Sequence, residues 1–217
     1  MEARGFQGVI GCIDCTHIRI KKPSAREEAY YNHHYRSHSL NVQAICDHDL
    51  RILSLSARFP GSVHDQFIWN TSTTREIMQA MYDEGIRNTW LLGDSGYALQ
   101  PYLLTPIRQA APNSPEERYT NCHCQTRNCV ERLFGVLKNT WRCLHREIVL
   151  HYTPEAAARI IISCAVLHNL MITHRQELPP YEDQDMEFIE ERQPNVNEDE
   201  FAGENARRLV IQQFFTF

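Results

Sequence analysis

No run of the 217 residues reaches the roughly 18 apolar positions that a membrane span requires. The first eight residues hold no apolar core behind a basic stretch, so no signal peptide is expected. No internal repeat occurs, which excludes a solenoid. The Gly-x-Ser-x-Gly elbow of α/β hydrolases is missing, since Gly93-Asp94-Ser95-Gly96 lacks that pattern. The eight cysteines are scattered, mostly inside apolar segments such as Ile45-Cys46 and Ser163-Cys164-Ala165. That usage fits reduced, buried thiols of the nucleus or cytoplasm better than a secreted disulfide framework. Strong positive charge is missing too, the net charge being −5. The charge is uneven: residues 1–176 carry +3 and residues 177–217 carry −8. The expected organisation is one folded domain over 1–176, then an acidic, largely unstructured tail over 177–217. The apolar end of that tail, from Leu209, is suited to docking.

What is present reads as α/β. Gly8 to Ile13 is a short apolar run ending at Asp14, with Ile18 and Ile20 extending it. Leu40–Cys46 and Ile52–Phe59 form an antiparallel pair across Asp47–Leu50. The second alternates at Leu53, Leu55, Ala57 and Phe59, as a strand with one buried face does. A helical stretch follows Pro60-Gly61-Ser62, breaks near 70–73 and resumes to about Tyr82, with Ser62 or Asp65 as its cap. Asn88 to Gly93 is another apolar run, closed by a turn at Asp94. Residues 105–125 read as a long loop, residues 126–146 as an amphipathic helix, and a further helix starts at Thr153-Pro154.

Three carboxylates stand at places where this order brings chain ends together. Asp14 and Asp94 close two apolar runs, and Glu131 lies on the flank of the 126–146 helix. Acids at the carboxyl ends of neighbouring strands converge at one sheet edge. Such a group binds Mg²⁺ or Mn²⁺, which prefer hard oxygen ligands. Arg127, Lys138 and Arg142 share the Glu131 stripe, which reads either as phosphate-binding residues beside a metal ligand or as a solvated face of ion pairs. Asp65 is a helix cap or a further ligand.

Five motifs in order carry a resemblance: Gly11-Cys-Ile-Asp14-Cys-Thr-His17, Pro60-Gly-Ser-Val-His-Asp65, Leu92-Gly-Asp94-Ser-Gly-Tyr97, Val130-Glu131-Arg-Leu-Phe-Gly-Val-Leu-Lys138 and Cys164-Ala-Val-Leu-His168-Asn169. Over residues 8–172 the chain resembles the PIF/Harbinger-type DDE transposases and the nucleases derived from them. The resemblance implies an RNase H-like fold, a mixed central sheet flanked by helices. It implies divalent-metal-dependent cutting or joining of DNA phosphodiester bonds, with Asp14, Asp94 and Glu131 as catalytic acids and Asp65 as an added metal ligand. It implies a nuclear protein and a DNA substrate; a Myb/SANT-like DNA-binding partner and an oligomeric state are compatible with it, and a membrane is not. Family members usually carry a helix-turn-helix segment before the nuclease domain, whereas here the first strand starts by about residue 8. The alternative is a domesticated domain that binds DNA or protein without catalysis. A glycosidase with two carboxylates is disfavoured by a strand–strand–helix set of three.

Other clusters have plainer readings. Cys122-His123-Cys124 with Cys129 lacks the paired spacing of a zinc finger. His17 reads as a strand residue with an ordinary hydrogen bond, or as a group that orients a metal-bound water. His168-Asn169 reads as a satisfied core pair. The Tyr/His/Arg segment 30–38 is either a polar edge loop or a surface that stacks on bases and touches phosphates.

Overall fold

The computed structural model describes residues 6–180 and 199–216. Strand β1 (Val9–Arg19) is followed by a short helix α1 (Glu27–Tyr30), β2 (Tyr31–Asn32), β3 (Ser37–Cys46) and β4 (Ile52–Pro60). Helices α2 (Asp65–Asn70) and α3 (Thr73–Asp83) lead to β5 (Trp90–Leu92) and β6 (Leu103–Leu104). The remainder is helical: α4 (Pro115–Thr140), a 3-10 turn at Arg142–Leu144, α5 (Pro154–Thr173) and α6 (Asp199–Phe214).

The sheet is mixed. β1, β3 and β4 form an antiparallel meander, and β5 and β6 add to β1 in parallel. The order is β4-β3-β1-β5-β6, with β2 continuing beside β3 at the β4 edge. Three antiparallel strands followed by two parallel ones, flanked by helices, is the RNase H-like arrangement. β1 pairs with β3 from Cys12 to Arg19, but with β5 only from Val9 to Cys12. Beyond Cys12 the β5 side of β1 is therefore open, and Asp14 lies just past the point of opening.

The two faces of β1 differ. Cys12, Ile18 and Ile20 point into a core built with Val130, Leu133 and Leu137 of α4 and Ile161 of α5. Burying each such side chain is worth about 1.5–3 kcal/mol. On the opposite face β3 presents Ser37, Ser39, Asn41 and Gln43, all buried and polar. Ser39, Asn41 and Gln43 offset their burial with hydrogen bonds to His17 of β1, to the Val63 carbonyl before α2 and to the Tyr97 hydroxyl.

Several elements depart from the sequence expectation. The segment expected to be a loop over 105–125 contains the first eleven residues of α4. Ser114-Pro115-Glu116-Glu117 is an N-terminal helix signature, and Ser114 Oγ accepts from the Glu117 amide at 3.1 Å. Asp14 sits within β1 rather than at its end. α2 is flanked by His64, with no side-chain cap from Ser62 or Asp65. Helix α5 is, by length and composition, apolar enough to cross a membrane. Here its Ala157, Ile161, Cys164 and Ala165 are buried in the core, and Ile162, Val166 and Leu170 form an exposed apolar stripe.

Past residue 180 the described chain resumes as α6. Val210, Ile211 and Phe215 are buried, and Phe215 packs on Phe6 and Tyr119. Arg118 of α4 donates twice to the Phe215 carbonyl, at 2.8 and 3.1 Å. Most of the acidic stretch expected to lack fixed structure lies outside the described residues.

Candidate active site

The site forms where β5 ends. Asp94 lies two residues past β5, in a turn where its Oδ1 accepts from the Gly96 amide at 3.0 Å. Asp14 projects from β1 toward α4, and its Oδ1 accepts from the Cys15 amide at 2.8 Å. Glu131 comes from α4 one turn beyond Arg127. The guanidinium of Arg127 joins the helix to the strand: Nη1 donates to Asp14 Oδ2 at 2.6 Å and Nη2 donates to Glu131 Oε1. The side chain of Arg127 is 8% exposed, against 19% for Asp14 and 26% for Glu131.

The electrostatics follow from crowding. Burial raises the Asp14 carboxyl, Arg127 lowers it, and Asp94 and Asp65 raise it again, so that it titrates at about 7. Asp94 and Asp65 thus both reach Asp14 with their fields. Burial would weaken the Arg127 cation, but Asp14, Glu131 and Asp94 hold it protonated.

Asp65 enters from the other side of the sheet. Asn41 of β3 donates to Asp65 Oδ1 and to the Val63 carbonyl, both at 2.8 Å. Gln43 donates to the Asp65 carbonyl at 3.3 Å and to the Tyr97 hydroxyl at 3.1 Å. Burial keeps Tyr97 and the neighbouring Cys15 thiol neutral. The two β3 amides thereby fix the loop that carries Asp65. Nothing in the sequence singled them out, because buried amides in a strand look like loop residues until the register is known.

The cation stripe of α4 resolves into different roles. Arg127 and Lys138 are buried and Arg142 is exposed, so the stripe is not a solvated face. His17 bonds Ser39 Oγ at 3.0 Å and Asn32 at 3.4 Å, an ordinary strand histidine. His168 bonds the Leu50 carbonyl at 2.8 Å, and Asn169 makes a two-way pair with the Ile52 backbone. The 122–129 cluster does not converge: His123 is buried against the Leu104 carbonyl, Cys124 is exposed, and Cys129 lies beside Cys46.

Hard oxygen donors at the open end of a central strand are the right chemistry for a divalent cation. Among the described residues, no three His, Cys, Asp or Glu side chains form a ready metal cage. The Arg127 guanidinium bridges Asp14 and Glu131.

An RNase H-like sheet with acids gathered at the open end of its central strand defines a nuclease-type domain. The profile of the DDE superfamily endonucleases matches residues 13–169, and the chain belongs to that family. It is 34% identical over 177 residues to "Putative nuclease HARBI1" of Bos taurus and of Homo sapiens, covering 80% of this chain and 49% of each relative. It is 25% identical over 181 residues to "Protein ALP1-like" of Arabidopsis thaliana, covering 77% of this chain and 44% of that relative. The chain thus spans about half the length of the curated relatives it matches. No solved structure matches it. Endonucleases of the superfamily generally use divalent metals.

Proposed function

We propose that this domain cuts or joins DNA phosphodiester bonds, using Mg²⁺ or Mn²⁺ held by Asp14, Asp94 and Glu131, with Asp65 as an added ligand. The observation that carries the reading is the Asp14–Arg127–Glu131 bridge, set within the field of Asp94 at the open edge of β1. A bound divalent cation supplies the Lewis-acid charge for in-line displacement at phosphorus, so no side-chain nucleophile is required. The residues themselves do three things. The carboxylates gather negative charge where a cation is to be held. Asn41 and Gln43 fix the Asp65 loop so that its carboxylate keeps one orientation. Arg127 pairs with Asp14 and Glu131, and a cation held by those carboxylates would compete with it for them, which would leave the guanidinium to hold a phosphate oxygen.

A second reading, a domain that binds DNA or protein without catalysis, is favoured by the same ion pairs, because Arg127 satisfies two carboxylates as they stand. Cleavage of a duplex by the full chain with Mn²⁺, beside Asp14→Asn, separates the two. Metal-dependent cleavage lost in Asp14→Asn supports the nuclease. Binding of DNA with no cleavage and no Mn²⁺ uptake by calorimetry supports the second reading.

A further inference from the structure

We infer that the β2–β3 turn, residues His33–Arg36, is a docking ridge for unpaired nucleotides of the strand whose phosphodiester lies in the site. The inference rests on DNA being the substrate of the acidic site.

The first observation is attachment. Tyr35 packs its ring on His17 at 4.8 Å, and Asn32 bonds the same histidine. His17 lies three residues beyond Asp14 on β1. Three residues along a strand carry His17 about 10 Å from Asp14 and onto the opposite face of β1, the face on which Asn41 holds Asp65, so the ridge flanks the site from the Asp65 side. The ridge also reaches Asp65: Asn32 donates to the Gly61 carbonyl at 3.0 Å, and the same loop runs on to Val63 and Asp65, which Asn41 holds. Only glycine fits at position 61, because a Cβ there would stand 2.2 Å from Ser39 Oγ and 2.8 Å from the Ser39 carbonyl. Ridge, loop and acid are thus parts of one stiff assembly.

The second observation is display. Asn32 is buried, and its Oδ1 accepts from the His34 and Tyr35 amides at 2.9 and 3.1 Å. This fixes the turn and leaves His33, His34, Tyr35 and Arg36 exposed in succession. Arg36 has φ 48°, a left-handed conformation that a non-glycine residue adopts at a cost.

The third observation is chemistry. The segment from Ala29 to Cys46 contains no aspartate or glutamate, and Lys21, Lys22 and Arg26 precede it together with Glu27 and Glu28. Part of that charge is spent locally, since Lys22 pairs with Glu27 at 2.6 Å. Rings and one arginine without carboxylates match the faces of unpaired bases and the phosphates between them. A duplex keeps its bases stacked and offers the rings nothing, so the ridge favours single-stranded nucleotides flanking the bond.

The test uses the full chain in Ca²⁺ with two duplexes, one blunt and one with a three-nucleotide overhang containing 2-aminopurine. The wild type is expected to bind the overhang probe at least about fivefold more tightly and to quench its fluorescence. Tyr35→Ala is expected to weaken that binding about tenfold and to abolish quenching, with Tyr35→Phe retaining both. Arg36→Ala, at an exposed position that does not disturb packing on His17, is expected to lower the salt dependence by about one ion. Binding of the overhang probe by Tyr35→Ala and Arg36→Ala within twofold of wild type, or equal wild-type affinity for both probes, overturns the ridge. If the chain cuts DNA with Mn²⁺ but the ridge variants bind normally, the ridge falls and the nuclease reading stands. If ridge-dependent binding is found without any cleavage, the turn binds unpaired nucleotides, but the nuclease reading falls, and with it the ridge's role beside a scissile strand.

Discussion

Arg127 and Asp14, separated by 113 positions in the chain, meet at 2.6 Å between the long helix and the central strand. The contact ties a part-buried carboxylate of the central strand to a cation that also serves Glu131.

Arg127→Gln is therefore expected to destabilise the metal-free domain by about 3–5 kcal/mol at pH 8, the cost of a buried charge losing its partner. The loss is expected to shrink at pH 5.5, where Asp14 protonates instead. Urea denaturation at the two pH values, with and without Mn²⁺, checks this; a loss that Mn²⁺ does not offset in the variant contradicts the role given to the guanidinium.

Asp14→Asn is expected to abolish cleavage, by at least about 10³-fold, while leaving stability near pH 8 equal or improved. The sign follows from the raised carboxyl: its folded value of about 7 lies above the ordinary 3.8. Stability from this group is full below the ordinary value and is lost as pH rises through about 7. The asparagine variant lacks that loss, so its melting temperature is expected to fall less than wild type between pH 4 and 7.

His123 gives the opposite slope. Burial drives it from the usual 6.5 down to about 3, so it is neutral in the fold. The stability it confers is present above 6.5 and is lost as pH falls toward about 3. One added proton on the unfolded chain is worth about 1.4 kcal/mol per pH unit in that window. His123→Gln is expected to be less stable at pH 7 yet flatter below pH 6, as read from denaturation midpoints.

Asp65→Asn is expected to reduce cleavage less than Asp14→Asn does, because its carboxylate already has a neutral partner in Asn41 and lies on the opposite face of the sheet. Asn41→Ala frees that carboxylate and the Val63 carbonyl, and a loss of about 1–3 kcal/mol is expected. Equal loss of turnover in the Asp65 and Asp14 variants argues for equal roles at the metal.

Asn169→Ala is expected to cost about 1–3 kcal/mol without changing turnover per folded molecule. Its amide bonds both backbone groups of Ile52, an end residue of edge strand β4, at 2.9 and 2.8 Å. Active-site titration beside a melting curve distinguishes this structural part from a catalytic one.

The strands and most helices were legible because alternation and 3.6-residue spacing are written locally. The start of α4 was hidden because its first turns carry polar residues, and only Ser114-Pro115 marks them. Asp14, Asp94 and Glu131 each follow or flank an apolar run, which alone fits a turn or cap as well; the family motifs singled them out, and the structure sets Arg127 against Asp14 and Glu131. The depth of Arg127 was not legible: on a helical wheel it stands beside Glu131 like any solvated ion pair. Burial depends on which strand crosses the helix, a property of register between segments more than a hundred residues apart. Asn41 and Gln43 were illegible for the same reason.

Phe6 and Phe215 meet edge to face at 5.6 Å, so the two ends of the described residues adjoin. A unit whose two ends adjoin can be spliced into a longer polypeptide without stretching either flank. Fusions made at both ends at once are expected to leave its sheet undisturbed.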